Sequence, residues 1–221
     1  MGGWTRDTAL LAQVGSAEHR AVARQAVRES MVLLQNDNTA LPLAKGSNVF
    51  VTGTGADSLA RQCGGWTISW QGDGSQTTGT TVAAAIGKVA TVVGTQDQAD
   101  TVVVVLSEPP YAEFMGDTTT IDTLPAEDFA LLASARAAGK KVVAIIFSGR
   151  PVLITSHLAD ADAWIAGWLP GTEGDGVADV LFGDFPFTGK LSHSWPASAD
   201  QVTMNFDDAA FTPLFAYGFG L

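Results

Sequence analysis

Three short stretches of the sequence are apolar at nearly every position, not at alternate positions. They are residues 102–105, 141–147 and 163–169. A strand with one face in water alternates apolar and polar residues, whereas a strand covered on both faces reads as a continuous apolar run. Such runs, separated by helical segments, are typical of a parallel sheet between layers of helices. The sequence therefore predicts an α/β fold, a three-layer α/β/α sandwich with a mostly parallel sheet of about six strands.

Local patterns predict the elements around these runs. Apolar residues at three- and four-residue intervals predict a helix over residues 17–34, with Ser16 as its N-cap and a stop at residues 36–38. The other expected elements are strands over residues 48–52 and 91–93, helices over residues 82–87 and 125–138, and a helical or irregular segment over residues 151–158.

The length and charge of the chain limit its organisation and its partners. With 221 residues it is long enough to bury one core, and we expect one domain over residues 17–221 after a linker or an added start at residues 1–16. Twelve basic and 23 acidic residues leave a net charge of −11, which repels nucleic acid and anionic membranes. Uncharged sugars stay compatible with this surface.

Cysteine and histidine are too sparse for a metal site. The chain has a single cysteine, Cys63, and its three histidines have no metal-ligand spacing, so we expect neither a disulfide nor a metal. The apolar runs are far shorter than the roughly 20 residues of a membrane-spanning helix. A soluble chain without a membrane segment is expected.

Ligands of open α/β sheets bind beyond the carboxyl ends of the strands, so the loops there are the places to look for chemistry. The turn at residues 53–55 (GTG) resembles the start of a dinucleotide-binding turn, but the third glycine is missing and Asp57 would oppose a phosphate. Residues 171–176 (GTEGDG) carry two carboxylates. An ordinary strand-to-helix turn and a helix cap are the favoured interpretations, and no cofactor is predicted.

Two tryptophans lie four residues apart in a glycine-rich segment, residues 63–73 (CGGWTISWQGD). Trp66 and Trp70 stand among glycines that give them no ordinary core. A flat indole ring can stack on the C–H face of a pyranose sugar. We interpret both as candidate substrate-binding residues; the alternative is that they fill the space over a sheet edge.

A candidate acid lies in the segment after the four-valine run, residues 106–117 (LSEPPYAEFMGD). Two prolines and a glycine exclude helix and strand here and predict a defined loop beyond the sheet. Glu113 lies between Tyr111 and Phe114. If the two rings enclose its carboxyl group, the protonated form is favoured and Glu113 suits a general acid. The alternative is a solvated side chain without a role.

Several blocks of the sequence together resemble one known family. The second domain of family 3 glycoside hydrolases, of the β-glucosidase and exo-β-glucanase type, has similar blocks in the same order. In this chain they are residues 27–43 (VRESMVLLQNDNTALPL), 64–72 (GGWTISWQG), 108–117 (EPPYAEFMGD), 148–152 (SGRPV), 168–196 (WLPGTEGDGVADVLFGDFPFTGKLSHSWP) and 214–220 (LFAYGFG).

The resemblance implies a retaining, exo-acting hydrolysis of β-linked glucosides or gluco-oligosaccharides. In such enzymes the nucleophile is an aspartate from a preceding (β/α)8 barrel, and the second domain supplies the acid/base glutamate. Glu113 matches that glutamate, with Glu108 as the alternative carboxylate. Trp70 matches an aromatic clamp around the leaving-group sugar, with Trp66 as its less certain neighbour. Asp73 and Arg150 match loop scaffolding.

None of the 221 residues corresponds to the barrel, which is therefore the expected partner. We expect the chain to be inactive alone, to carry an apolar face that permits self-association, and to come from a periplasmic or secreted enzyme. The rival interpretation is a carbohydrate- or partner-binding α/β module without catalysis.

Overall fold

The computed structural model describes residues 8–73, 77–203, 208 and 211–221. Its six strands are β1 (Val32–Asn36), β2 (Asn48–Thr52), β3 (Thr91–Val92), β4 (Thr101–Ser107), β5 (Lys141–Phe147) and β6 (Ala163–Trp168). They form one sheet in the spatial order β1-β6-β5-β4-β2-β3. Edge strand β1 runs antiparallel to β6, and every other pair is parallel.

The α-helices are α1 (Ala17–Ser30), α2 (Leu59–Cys63), α3 (Val82–Ile86), α4 (Ala126–Ala137) and α5 (Gly174–Leu181). Short 3-10 helices cover Thr8–Gln13, Asp37–Thr39, Gln96–Gln98, Glu113–Met115, Thr155–Asp160 and Ala199–Thr203. Residues of α1, α3 and α5 pack on one face of the sheet, and α4 packs on the other. The predicted three-layer sandwich with a mostly parallel sheet is confirmed.

Strand β4 shows why its sequence is apolar throughout. Val103 and Val105 point into the core under α1, α3 and α5, whereas Val102 and Val104 point into the core under α4. All four side chains are buried. Burying one valine side chain stabilises the fold by about 1.5–3 kcal/mol. Because alternate valines of the run enter opposite cores, the run stabilises both cores.

The predicted helix over residues 17–34 is wrong beyond Ser30. Ser16 does cap α1, since its Oγ accepts the N–H of His19, but residues 32–36 form strand β1. Leu33 packs on one face of the sheet and Val32 and Leu34 on the other. Pairing with β6 outweighs the helical spacing of the same residues, which is a tertiary effect. The other expected strands and α-helices agree with the structure within two residues.

A buried carboxylate joins α1 to α5. Asp179, 7% exposed in its side chain, accepts hydrogen bonds from Arg24 (Nε to Oδ2, 2.6 Å) and Arg28 (Nε to Oδ2, 2.5 Å). Burial acts to raise the pKa of Asp179, but the hydrogen bonds from the two guanidinium groups outweigh burial, and the pKa lies below its ordinary value. The ionised form therefore stabilises the packing of the two helices.

We expect Asp179→Asn to lower the free energy of unfolding by about 2 kcal/mol at pH 7, because hydrogen bonds to a charged group are lost. Urea unfolding measures this change. The matched control is Asp184→Asn, which removes the exposed pair with Lys45 and should cost less than about 0.5 kcal/mol.

Comparison of the parent chain with Asp179→Asn also tests how the contribution of Asp179 to stability depends on pH. A lowered pKa contributes stability above the unfolded-state pKa of about 3.9, and this contribution is lost as the pH falls through the folded-state pKa. The difference between the parent chain and Asp179→Asn should therefore shrink in acid. A difference that stays constant down to the acid transition contradicts this account.

Candidate functional site

The predicted site residues lie on two loops beyond the carboxyl edge of the sheet. We call residues 108–117, which follow β4, the glutamate loop, and residues 64–73, which follow α2, the tryptophan loop. The two loops touch at their backbones, since a Cβ added to Gly65 would lie 2.0 Å from the carbonyl oxygen of Tyr111. Only glycine permits this approach.

Glycines also close the tryptophan loop at its base. Gly64 ends α2 with a φ of +74°, and a Cβ added to Gly72 would lie 2.2 Å from the Gly64 carbonyl oxygen. Inside the loop the N–H of Trp66 donates to the carbonyl of Trp70 at 3.0 Å, and the N–H of Asp73 donates to Ser69 Oγ. The loop is a compact turn that exposes the side chains of Trp66, Ile68 and Trp70.

Three aromatic rings form a cluster across the two loops. The ring centroids of Trp66 and Trp70 are 6.4 Å apart, and Phe114 of the glutamate loop lies edge-on to Trp70 at 5.5 Å. Trp66 and Phe114 are each 66% exposed and Trp70 is 43% exposed. None of them is buried against the sheet, so the alternative that the tryptophans fill space over a sheet edge does not describe them.

Glu113 lies at the tip of the glutamate loop, next to the aromatic cluster. It begins the 3-10 turn Glu113–Met115 with a φ of +46°, and its carbonyl accepts the N–H of Gly116 at 2.7 Å. A positive φ is uncommon for a residue with a side chain and costs about 1 kcal/mol or more. The loop therefore holds Glu113 in a conformation that it would not adopt by itself.

The enclosure of Glu113 by Tyr111 and Phe114, on which the general-acid argument from the sequence was conditional, is not found in this structure. The Tyr111 ring lies 4.5 Å from the guanidinium carbon of Arg150, and Phe114 packs on Trp70. Glu113 itself is exposed. The adjacent rings have partners elsewhere, which adjacency in the sequence could not indicate.

Glu108, the alternative carboxylate, is an internal anchor. It is 4% exposed and accepts hydrogen bonds from Ser148 Oγ at 2.6 Å and from Arg150 Nη2 at 2.9 Å. The Tyr111 hydroxyl donates to it at 3.3 Å. Burial and the charge of Glu108 raise the pKa of Tyr111, so this phenol keeps its proton. Both Glu108 oxygens are occupied, which disfavours a reactive role.

Arg150 connects this anchor to the far end of the glutamate loop. Besides its ion pair with Glu108, its Nη1 donates to the carbonyl of Gly116 at 2.8 Å. One side chain thus holds the first residue of the loop and a residue just beyond Glu113. These contacts agree with the interpretation of Arg150 as loop scaffolding.

Sequence reasoning missed Gln71. Its side-chain amide accepts the N–H of Ala112 at 2.9 Å and donates to the carbonyl of the same residue at 3.2 Å. A glutamine in a loop has no pattern that reveals such a contact, because the two residues are 41 positions apart.

The glycine turns that resemble nucleotide-binding loops are occupied by the protein itself. The N–H and Oγ1 of Thr54 donate to the buried carboxylate of Asp128 at 2.9 and 2.6 Å. In the second turn Glu173 pairs with Arg20, and α5 begins at the next residue. In the first turn Thr54 is bonded to the Asp128 carboxylate, and in the second the Glu173 carboxylate is paired with Arg20. Both turns therefore have structural roles within the domain.

The described residues contain no cluster of histidine, cysteine or carboxylate side chains arranged to hold a metal ion. Within the same residues no helix has the length and apolar character needed to cross a bilayer. A cleft of about 940 Å³ is lined by residues that include Ile121, Arg150 and Tyr217 but neither Glu113 nor the tryptophans.

A three-layer α/β sandwich that presents exposed tryptophans beside a loop glutamate has the features of a carbohydrate-active domain. The chain belongs to glycosyl hydrolase family 3, because the family model of its C-terminal domain matches residues 31–221. The resemblance found in the sequence is thereby confirmed.

The relatives of the chain include β-glucosidases. The periplasmic β-glucosidase of Salmonella typhimurium is 29% identical over 92% of this chain, and the lysosomal β-glucosidase of Dictyostelium discoideum is 29% identical over 97%. The chain spans about a third of the length of these relatives, 34% and 31%.

Solved structures show the same fold. The exo-1,3/1,4-β-glucanase of a Pseudoalteromonas species is 40% identical, with a TM-score of 0.85 over 94% of this chain and 28% of that one. The β-glucosidase of Listeria innocua is 27% identical, with a TM-score of 0.83 over 98% of this chain and 35% of its own. The chain is thus a C-terminal domain of the kind found in β-glucosidases and exo-glucanases.

We expect Arg150→Met to lower the free energy of unfolding by about 3 kcal/mol, because it leaves the Glu108 carboxylate buried without its cation. Urea unfolding measures the loss. The control is Lys45→Met, which breaks an exposed pair and should cost less than about 0.5 kcal/mol.

A second variant identifies the cause of the Arg150→Met defect. In Glu108→Gln/Arg150→Met no charge of this pair is left in the interior, so part of the lost stability should return. If Arg150→Met unfolds at the same urea concentration as the parent chain, the ion pair does not anchor the loop.

Proposed function

We propose that this chain is the second domain of a retaining, exo-acting β-glucosidase or β-glucan glucohydrolase, and that Glu113 supplies its acid/base carboxyl group. The observation that carries the proposal is the place of Glu113. Its carboxylate is exposed at the tip of a loop braced at both ends, and the next residue, Phe114, packs on the exposed ring of Trp70.

Hydrolysis with retention needs two carboxyl groups on opposite sides of the scissile bond, about 5 Å apart. One attacks the anomeric carbon while the acid gives its proton to the departing glycosidic oxygen, which leaves a covalent glucosyl-enzyme. The resulting carboxylate then takes a proton from water as that water attacks the anomeric carbon and releases the sugar. Glu113 is suited to the second carboxyl position because its exposed carboxyl group is free to face a cleft.

The first carboxyl group comes, in this proposal, from a (β/α)8 barrel that forms the other wall of the site. Apolar side chains on the two loops support such a neighbour. Ile68 and Met115 are exposed, next to Trp66 and Phe114. Apolar groups that are left in water on adjacent loops mark a surface for contact with a partner. The same surface would permit self-association of the chain alone.

Trp70 and Trp66 are proposed to bind the leaving-group sugar. A pyranose that stacks on Trp70 buries its C–H face on the indole, while its glycosidic oxygen is directed toward the glutamate loop. The distance of 5.5 Å between the Trp70 and Phe114 rings keeps this surface close to Glu113. β-Linked glucosides and gluco-oligosaccharides are the proposed substrates.

The proposed domain covers residues 17–221, after a linker or an added start at residues 1–16, and the parent enzyme is proposed to be periplasmic or secreted. The periplasmic β-glucosidase of Salmonella typhimurium, a relative over most of the chain, supports this location.

We expect Glu113→Gln, in the full-length enzyme, to lower kcat on a β-linked gluco-disaccharide by about 10²–10⁴-fold, because the departing oxygen loses its proton donor. Activity on an activated aryl β-glucoside should be partly restored by azide, which attacks the glucosyl-enzyme without needing a general base.

The matched control for this variant is Glu127→Gln, an exposed glutamate in the first turn of α4, which should leave kcat unchanged. A role in binding alone predicts a changed KM with kcat intact. That result would support the alternative, a carbohydrate- or partner-binding module, for which the exposed tryptophans are the observation in favour.

The purified chain should hydrolyse an aryl β-glucoside no faster than the buffer, because it lacks the proposed nucleophile. Turnover should appear only when the barrel is present, covalently attached or added as a separate polypeptide. Robust hydrolysis by the pure chain would contradict the proposal that the nucleophile lies on the barrel and the acid/base on this chain.

A further inference from the structure

Gln71 makes a two-point contact with the residue that precedes Glu113. Its Oε1 accepts the N–H of Ala112 at 2.9 Å and its Nε2 donates to the Ala112 carbonyl at 3.2 Å. A primary amide that pairs with both polar groups of one residue replaces the neighbouring strand that a sheet would provide. Ala112 is buried, so its N–H and carbonyl groups need such partners.

The contact lies on one side of Glu113, and a second contact lies on the other. Arg150 holds the carbonyl of Gly116, and Glu108 holds Arg150. The segment between Ala112 and Gly116 is therefore fixed at both ends by side chains from two other loops. Glu113 stands between these points with its φ of +46°.

This arrangement explains how an exposed residue keeps an unfavourable backbone conformation. A non-glycine residue at positive φ relaxes unless its surroundings prevent it. Inside the turn the Gly116 N–H bonds to the Glu113 carbonyl, but this contact is local and moves with the loop. Gln71 and Arg150 connect the turn to the rest of the domain.

Gln71 also follows Trp70 directly in the sequence. The same short segment therefore carries an exposed ring and holds the backbone next to the carboxylate. A movement of the tryptophan loop would carry the backbone of Ala112 with it.

We infer that Gln71 is a positioning residue that sets the direction of the Glu113 carboxyl group relative to the Trp70 ring. The inference rests on the proposed acid/base role of Glu113. Gln71 acts only through the backbone of Ala112. Its importance follows from geometry, because a displacement of about 1 Å in a reacting group can cost on the order of 10²-fold in rate.

The first experiment uses the chain itself and needs no activity. Amide hydrogen exchange, followed by NMR, compares the parent chain with Gln71→Ala, Gln71→Glu and the control Gln98→Ala. Gln98 is an exposed glutamine in the turn before β4, at the opposite edge of the sheet. The Ala112 amide should exchange about tenfold faster in Gln71→Ala, while the amides of β4 and β5 keep their rates.

In the conservative variant Gln71→Glu the exchange rate of the Ala112 amide should lie between the rates in the parent chain and in Gln71→Ala. Its carboxylate can still accept the Ala112 N–H but cannot donate to the Ala112 carbonyl at neutral pH. An Ala112 exchange rate that is the same in Gln71→Ala and the parent chain overturns the inference.

The second experiment uses the full-length enzyme and two substrates that differ in their leaving groups. The dinitrophenolate of a dinitrophenyl β-glucoside departs without protonation, whereas the sugar that leaves a β-linked gluco-disaccharide needs a proton from the acid. Because kcat/KM reports the step that forms the glucosyl-enzyme, Gln71→Ala should lower kcat/KM on the disaccharide by about tenfold or more and change kcat/KM on the aryl glucoside by less than about twofold. Equal losses on both substrates indicate a general structural defect and contradict the positioning role.

The variant Glu113→Gln separates the two proposals. If it leaves disaccharide turnover intact, the acid/base role of Glu113 is wrong, whatever Gln71 does. If Glu113→Gln abolishes that turnover while Gln71→Ala does not change it, the acid/base proposal stands and the positioning role of Gln71 is wrong.

Discussion

Strands β4, β5 and β6 are buried on both faces, and this constraint decides where the chain can place reactive groups. The side chains along the middle of these strands are apolar and buried, and an unpaired charge there would be very costly. Charged side chains that could react or bind are therefore found beyond the ends of these strands. Glu108 is the first residue after β4, and Arg150 is the third residue after β5. Parallel pairing of the two strands therefore brings Glu108 and Arg150 together.

Buried carboxylates of the domain have polar partners of the protein itself. Asp179 binds two arginines, Asp128 binds the turn at Thr54, and Glu108 binds Arg150 and Ser148. Each joins two elements that are distant in the sequence. A carboxylate exposed beside aromatic rings, such as Glu113, differs from this group, and the difference is the physical basis for separating anchors from a candidate catalytic group.

Much of the architecture could be predicted from apolar periodicity, because burial on both faces of a sheet leaves a direct trace in the sequence. The end of α1 could not, since the stretch at residues 31–34 suits a helix and a strand alike until β6 is available as a partner. The candidate residues Glu113, Trp66 and Trp70 were recognisable as loop residues with suitable chemistry. The surroundings of Glu113 were not, because Tyr111 turns toward Arg150 and Phe114 toward Trp70.

By itself the sequence determined the layered α/β class, the family, and the loops that carry a carboxylate and two indole rings, since each depends on residue type and local order. Only the tertiary structure decided which carboxylate is an anchor and which is exposed, and that Gln71 holds Ala112. Those outcomes depend on groups 41 or 42 positions apart, and their meeting is set by strand pairing and by glycines that let two backbones touch.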